Sequence, residues 1–396
     1  MAKLRTLCYS IIFAPSTKNI TILASFASLG VSADLIKALN ENHIESPTEI
    51  QVKTIPFLNE QDTDFIGLAQ TGTGKTAAFG LPLIQKIDGS KPYVQAIVLS
   101  PTRELAKQIA KQLFRFTKYY PEKIFTEAIC GGDKIDAQIE KLKRPTQIVV
   151  ATPGRLNDLL DRQAIDLSQV EYVILDEADE MLNMGFKKDI DRILRFAPKE
   201  RHTWLFSATM PEEIKQLIKQ FMKPDAHKVE VDKEQLVNKN IEHFYTLCDN
   251  VKEKVPMLLK FLKKQGNQQG IVFCKTRATV RKLAAQLEEK GLLAKPIQGE
   301  MFQSERDKVM RMFRSKKTQI LVATDVAARG LDIKNLGFVA HYNLPEQIEY
   351  YTHRSGRTGR AGRKGLSMCF VVEEELEPME DIEMELDIVI TPVATA

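Results

Sequence analysis

Short apolar runs alternate with longer amphipathic segments through most of the chain. Runs at 65–68, 96–99, 147–150, 172–175 and 203–206 are mostly apolar on consecutive positions, and each reads as a strand buried on both faces. Between them lie segments such as 104–116, whose apolar residues recur at helical spacing. Strand, helix and strand in repetition predict βαβ units and a parallel sheet covered on both sides. The rhythm pauses over 225–240, a polar, charge-rich stretch after Pro224, and resumes with runs at 270–273, 319–322, 338–341 and 367–372. The expected organisation is α/β. A loosely ordered leader (1–20) comes first, then a doubly wound parallel-sheet domain (21–225) and a short linker (226–240). A second such domain (241–375) and an acidic helix or tail (376–396) follow.

The two halves echo each other. Thr102-Arg103 with Ala110, Gln112 and Leu113 recurs as Thr276-Arg277 with Ala284, Gln286 and Leu287. Ile148-Val149-Val150-Ala151-Thr152 recurs as Ile320-Leu321-Val322-Ala323-Thr324. Two matches in one order point to two related domains. Ligand is then expected at the carboxyl ends of the strands, in the cleft between them.

Net charge changes the picture more than composition does. Residues 373–387 hold nine acidic side chains and no basic one, so a chain of +4 overall is +13 without that stretch. The excess suggests an anionic partner, with nucleic acid the obvious candidate. Five widely spaced cysteines without a C-x-x-C pair read as reduced thiols, Cys274 and Cys369 as buried fillers. No apolar run reaches transmembrane length. The residues after Lys3 and Arg5 faintly resemble a signal peptide, but Tyr9, Ser10 and Pro15 interrupt the run, and a cytoplasmic protein is expected.

The chemistry gathers at two stretches. Ala69-Gln70-Thr71-Gly72-Thr73-Gly74-Lys75-Thr76 lies between an apolar run and a helix-forming segment, the setting of a phosphate-binding loop. Its backbone N–H groups converge on an anion, Lys75 reaches the outer phosphates and the Thr76 hydroxyl can hold Mg²⁺. Ala69 stands where the general pattern has its first glycine. The run at 172–175 ends in Asp176-Glu177-Ala178-Asp179. Asp176 can hold Mg²⁺, largely through water, and Glu177 can orient or deprotonate an attacking water.

Together these motifs resemble those of the DEAD-box ATP-dependent RNA helicases of superfamily 2, over roughly residues 26–372 and in family order. The resemblance implies two tandem RecA-like domains, ATP and Mg²⁺ as cofactors, and RNA as partner. Pro47-Thr48-Glu49-Ile50-Gln51 resembles the family's Q motif, so Thr48 and Gln51 are expected at the adenine and Phe26 stacked on it. The family's usual glycine before this motif is replaced here by Asn42-His43. Ser207-Ala208-Thr209 resembles the motif that links hydrolysis to strand separation. The resemblance puts Pro101, Thr102, Arg103, Gly131, Gly132, Thr152, Gly154 and Arg155 on the RNA face of the first domain. Arg277, Gln298, Gly299, Gln303, Arg306 and Thr324 take that part in the second. The segment 155–162 corresponds to a wedge that bends one strand. Arg357 and Arg360 correspond to arginine fingers worth roughly 10³–10⁵ in rate. Gly330 and Asp332 are expected near the nucleotide, and His353 at the contact between domains. Arg354, Arg357 and Arg360, at steps of three, are expected on one helical face or loop edge.

Few aromatics interleave the basic and hydroxyl positions, which favours gripping of the RNA backbone with low sequence specificity. The expected protein is a monomeric RNA-stimulated ATPase that locally unwinds short duplexes and remodels RNA or ribonucleoprotein. The same motifs would serve an ATP-gated RNA clamp that nucleates an assembly, or a DNA helicase.

Overall fold

A computed structural model describes residues 24–70, 72–231, 240–299, 301, 303–328, 331, 333, 336–359 and 364–393. The expected leader, Thr71, Gly330, Asp332 and Arg360 lie outside the described residues.

The first half runs α1 (Ala33–Glu41), α2 (Glu49–Glu60), β1 (Phe65–Leu68), α3 (Lys75–Lys86), β2 (Ala96–Leu99), α4 (Arg103–Phe116), β3 (Thr126–Ile129) and α5 (Ile135–Leu142). It continues with β4 (Ile148–Ala151), α6 (Pro153–Asp161), β5 (Tyr172–Asp176), α7 (Ala178–Asn183), α8 (Lys187–Phe196), β6 (His202–Ser207), α9 (Glu212–Phe221) and β7 (His227–Glu230). The second half runs β8 (Ile241–Leu247), α10 (Lys254–Lys264), β9 (Gly270–Phe273), α11 (Arg277–Glu289), β10 (Ala294–Ile297), α12 (Gln303–Arg314) and β11 (Ile320–Ala323). Then come α13 (Asp325–Ala328), β12 (Phe338–His341), α14 (Ile348–Ser355), β13 (Gly365–Val371), α15 (Leu376–Leu386) and β14 (Thr391–Pro392).

Each half builds one parallel sheet, ordered β3-β4-β2-β5-β6-β1-β7 and β10-β11-β9-β12-β13-β8-β14. The orders superimpose strand for strand, as the internal sequence echo requires. Side chains alternate between the two faces of each sheet. Ala96 and Val98 of β2 enter one core while Ile97 and Leu99 enter the other. In the second sheet Val272 parts from Ile271 and Phe273 in the same way. Helices close both faces with one apolar stripe each, as when α4 buries Ala106, Ile109, Ala110, Leu113 and Phe116. Two tandem RecA-like domains result.

Part of the expected linker is strand. β7 pairs in parallel with β1, and Phe57 stacks on His227 with ring centroids 3.9 Å apart. It is an edge strand that buries Val229 alone, so it carries no apolar run to announce it. Residues 232–239 lie outside the described residues. The acidic stretch forms helix α15, which buries Met379 and Ile382 in a small core with Tyr351, Cys369, Val371 and Ile390. Cys274 and Cys369 are buried, as expected of fillers. Among the described residues no helix is long and apolar enough to cross a membrane.

Candidate active site

Parallel strands bring their carboxyl ends to one edge, and sheet order divides that edge in two. In the first domain β1, β5 and β6 end at the phosphate loop, the acidic motif and Ser207. The segments after β2, β3 and β4 instead carry Pro101 to Arg103, Gly131-Gly132 and Thr152 to Arg155.

The loop after β1 turns through Gly72 and Gly74, whose φ values of +88° and +94° are left-handed, before α3 starts at Lys75. Ala69 N–H donates to the Ser207 carbonyl at 3.0 Å, joining the loop to β6. Lys75 is 5% exposed, and its Nζ donates to the Ala69 carbonyl at 3.1 Å, folding the side chain back over the loop. Gln51 braces the loop from outside. Its Oε1 accepts from Thr48 N–H at 3.0 Å and its Nε2 donates to the Gly74 carbonyl at 3.0 Å. A Cβ on Gly74 would stand 2.4 Å from that nitrogen and displace the Gln51 side chain, in addition to the strain of its left-handed φ. Phe26 is 3% exposed within the first core, where its ring packs against protein and offers no open face for a base.

Asp176 ends β5, and Glu177 follows at φ +53°, an uncommon left-handed conformation for a side chain of this size. Both carboxylates are buried. Burial holds the Asp176 carboxyl above the usual carboxylate range despite Lys75 nearby, and its Oδ1 has no hydrogen-bond partner. Burial likewise pushes Glu177 up to about 7; the Asp176 charge adds to the shift, and Lys75 and His353 oppose it. Asp179 Oδ2 accepts from Ala208 N–H (3.2 Å), Thr209 N–H (3.0 Å) and Thr209 Oγ1 (2.9 Å). Ser207 Oγ accepts from Asp179 N–H at 3.3 Å. Ser207 and Thr209 are thus tied directly to the acidic motif.

The second domain meets this site through α14. His353 Nδ1 lies 3.5 Å from Glu180 Oε1, and Asn183 Nδ2 donates to the Tyr350 hydroxyl at 3.5 Å. Arg357 follows the helix, and its Nη1 donates to the Leu331 carbonyl at 3.1 Å. Arg354 and Arg357 do not share a helical face, because α14 ends between them, and Arg360 lies outside the described residues. Arg354 sits inside α14, 2% exposed, with Nε and Nη2 on the two oxygens of Asp325 at 2.5 and 2.6 Å and Nη1 on the Asn343 carbonyl at 2.7 Å. It serves its own domain, whereas Arg357 lies beyond the helix end at Ser355.

On the other half of the edge, Thr102 caps α4 by accepting from Leu105 N–H at 3.3 Å, and Thr276 caps α11 by accepting from Thr279 N–H at 3.1 Å. Thr152 precedes α6, and Thr324 Oγ1 accepts from Ala327 N–H at 3.4 Å. Hypothetical Cβ atoms on Gly131, Gly154 and Gly299 meet nothing within 4 Å, so open space lies over these backbones. Arg103 covers Gly132, and Gln298 beside Gly299 is 7% exposed. Arg277 starts α11, and Pro101 is buried. Arg155 is committed locally: its Nη1 donates to the Asp133 carbonyl (3.0 Å) and Gln138 Oε1 (2.9 Å), and its Nε lies 3.3 Å from Asp158.

Arg306, expected on the RNA face, turns toward the first domain. Its Nε lies 2.9 Å from Glu104 Oε1 across the two domains, a contact of charges rather than a well-aligned hydrogen bond. Its Nη2 donates to the Ala327 carbonyl at 2.8 Å, and it is 6% exposed. Glu104 and Asp179 stand in the sequence motifs without a role of their own, and Glu180 lies outside them. Each reads there as an acid in the first turn of a helix, where the dipole alone would favour it.

Residues 48–217 match the DEAD/DEAH box helicase family model, and 253–362 match the helicase conserved C-terminal domain. The ATP-dependent RNA helicase CshA of Limosilactobacillus reuteri is 42% identical over 90% of this chain and 71% of its own length. S. cerevisiae Dbp5 bound to RNA and ADP BeF3 superimposes with a TM-score of 0.85 at 32% identity, covering 93% of this chain and 95% of that one. Mss116p bound to ssRNA and AMP-PNP gives 0.83 at 30% identity, covering 97% and 82%. With a phosphate loop, a buried acidic motif and a second domain set against that motif, this chain belongs to the DEAD-box ATP-dependent RNA helicases.

Proposed function

We propose that the protein unwinds short RNA duplexes locally, by closing its two domains on one strand when ATP is bound. The observation that carries this reading is the seating of α14 against the acidic motif, with His353 on Glu180 and Arg357 just past the end of the helix. ATP would lie on the loop 69–76, with Lys75 swinging from the Ala69 carbonyl to the outer phosphates. Glu177 would take a proton from the attacking water, and Arg357, with Arg360, would meet the charge developing on the transferred phosphoryl group. The overall likeness to two relatives whose structures hold RNA and a nucleotide also supports a closed, ligand-competent arrangement.

The acidic motif fits Mg²⁺. Asp176 Oδ1 is buried with no partner, and Thr76 follows Lys75 at the start of α3. Among the described residues no cluster of three metal-ligating side chains exists, which suits an ion held by one carboxylate, a hydroxyl, water and substrate phosphates. When bound, Mg²⁺ neutralises charge on the β- and γ-phosphates.

RNA would run over Gly131, Gly154 and Gly299, held at its backbone by hydroxyls, glycine N–H groups and helix starts. Melting about five base pairs costs roughly 7 kcal/mol at about 1.4 per stacked step, which suits local opening rather than long travel. Glu177→Gln should keep ATP and RNA binding and stop turnover. Arg357→Ala should abolish RNA-stimulated hydrolysis while ATP still binds. Normal hydrolysis in either variant would remove that residue from its role. Long ATP-dependent retention of RNA without strand release would favour the clamp.

A further inference from the structure

We propose that the outward face of α12 is a second contact for the RNA backbone, holding the part of the strand that flanks the clamped segment. The proposal rests on the RNA path over Gly299 described above. α12 buries Val309, Met310 and Phe313 in the second core. At about 3.6 residues per turn, Ser304, Lys308, Arg311 and Ser315 fall on the opposite side, and all four are exposed. From Ser304 to Ser315 the stripe is about 16 Å long at about 1.5 Å per residue. Arg314 flanks it, and Lys316 and Lys317 extend it past the helix end. The turn that carries these two lysines is fixed. Lys316 N–H donates to the Phe313 carbonyl and Lys317 N–H to the Met312 carbonyl, both at 2.9 Å. Lys316, at φ +60°, takes the left-handed position where a helix commonly ends in glycine.

Residues 308–317 hold five basic side chains and no acidic one. Among the described residues none of the five has an ion-pair partner, whereas other surface lysines are matched, as Lys118 is with Glu41 and Lys295 with Glu288. The helix dipole accounts for cations in the last turn but not for Lys308 near the middle. The fold favours a nucleic-acid strand over an acidic protein. α12 follows β10 and runs back across the sheet, so it starts at the carboxyl edge close after Gly299. Its stripe therefore leads directly away from the segments expected to hold the strand. Serine hydroxyls at both ends of the stripe suit phosphate oxygens. The acidic helix α15 packs beside β13, toward the opposite edge of the same sheet, so the field of this domain draws an anionic strand to the α12 side.

The test compares two fluorescent oligouridylates on the full chain with AMP-PNP and Mg²⁺: the shortest that the parent binds, and the same sequence extended at both ends. The parent should bind the longer one more tightly and lose it more steeply as salt is added. Lys308→Gln combined with Arg311→Gln should flatten that salt slope by about 1.4, at about 0.7 for each phosphate contact on a single strand. Near physiological salt the same change weakens the longer RNA roughly tenfold. Affinity for the short RNA should stay as in the parent, which also shows that the variant is folded. Lys308→Arg combined with Arg311→Lys, which keeps both charges, should bind the longer RNA as the parent does. Equal weakening of both lengths would make this face part of the clamp itself and overturn the inference. A longer RNA that parent and variant bind alike would also overturn it. If the variant instead loses self-association in sedimentation, the face belongs to α15 of a second copy, and the inference falls. A parent that binds neither RNA would overturn the RNA path on which the proposal rests.

Discussion

Gln51 is the residue at which two accounts of nucleotide binding separate. The family resemblance makes it a reader of adenine, whereas in the structure both its polar atoms already hold protein. Replacing it by alanine removes the acceptor of Thr48 N–H and the donor to the Gly74 carbonyl. Gln51 is 3% exposed, so water does not freely replace either bond. At about 1 kcal/mol net for each hydrogen bond, the braced form of the loop loses about 2 kcal/mol. Binding energy must then restore that order, which weakens the nucleotide roughly thirtyfold. A brace acts on the phosphate loop, so ATP, GTP and UTP should all weaken by a similar factor in Gln51→Ala. Equilibrium titration with fluorescent analogues of the three nucleotides, without RNA, measures this directly. Gln51→Glu should be no better, because its carboxylate keeps the Thr48 bond but opposes the Gly74 carbonyl. If Gln51→Ala weakens ATP down to the level of UTP and leaves UTP unchanged, the bracing argument fails and adenine reading stands alone.

Turnover at saturating ATP and RNA should rise with pH between about 6 and 8, because burial holds Glu177 protonated up to about 7 and a base must be ionised. The sign for stability is opposite: a raised folded-state value means stability is lost as pH climbs from the ordinary 4.5 to about 7. A kcat profile flat through pH 7 would exclude Glu177 as the titrating group. Arg354→Met, similar in length but uncharged, should strip Asp325 of its two-pronged partner and destabilise the second domain by about 3 kcal/mol. Calorimetry of the full chain checks this, and an unchanged second-domain transition would contradict it.

The parts legible in sequence are those whose chemistry is local. Gly72-Thr73-Gly74-Lys75-Thr76 and Asp176-Glu177 each declare themselves within a few residues, and strands buried on both faces do so by composition. Edge strands do not. β3 is half-exposed over Thr126, Glu127 and Ala128, β10 contains Pro296, and β7 buries one side chain, so none presents an apolar run. Spacing misleads where a helix stops. Steps of three put Arg354 and Arg357 on one face only if α14 continues, and it ends at Ser355. The meeting of Glu104 with Arg306 is beyond any local pattern, because it depends on how two separately folded sheets are set against each other.

The near-identity of the two sheets raises the question of why only one holds ATP, and a pair of lysines answers it. β1 and β8 occupy the same place in their sheets, and the helix after each begins with a lysine, Lys75 in α3 and Lys254 in α10. Both are buried, at 5% and 1% exposed. Among the described residues Lys75 hydrogen-bonds the Ala69 carbonyl, a neutral partner that an arriving phosphate can outbid, with the Asp176 and Glu177 carboxyls nearby. Lys254 is held by the Glu375 carboxylate, with the Tyr342 carbonyl at 3.4 Å. Tyr342 follows β12 as Glu177 follows the end of β5, and Glu375 follows β13 where Ser207-Ala208-Thr209 closes β6. The second domain thus places its own anion where the first leaves room for phosphate. An anionic ligand there would have to displace a buried, charge-paired carboxylate, and no left-handed glycine turn precedes α10 to supply converging N–H groups. With its lysine paired from within, the second scaffold is ill suited to binding nucleotide, and in the proposed cycle its contribution to hydrolysis comes instead from Arg357, just past the end of α14.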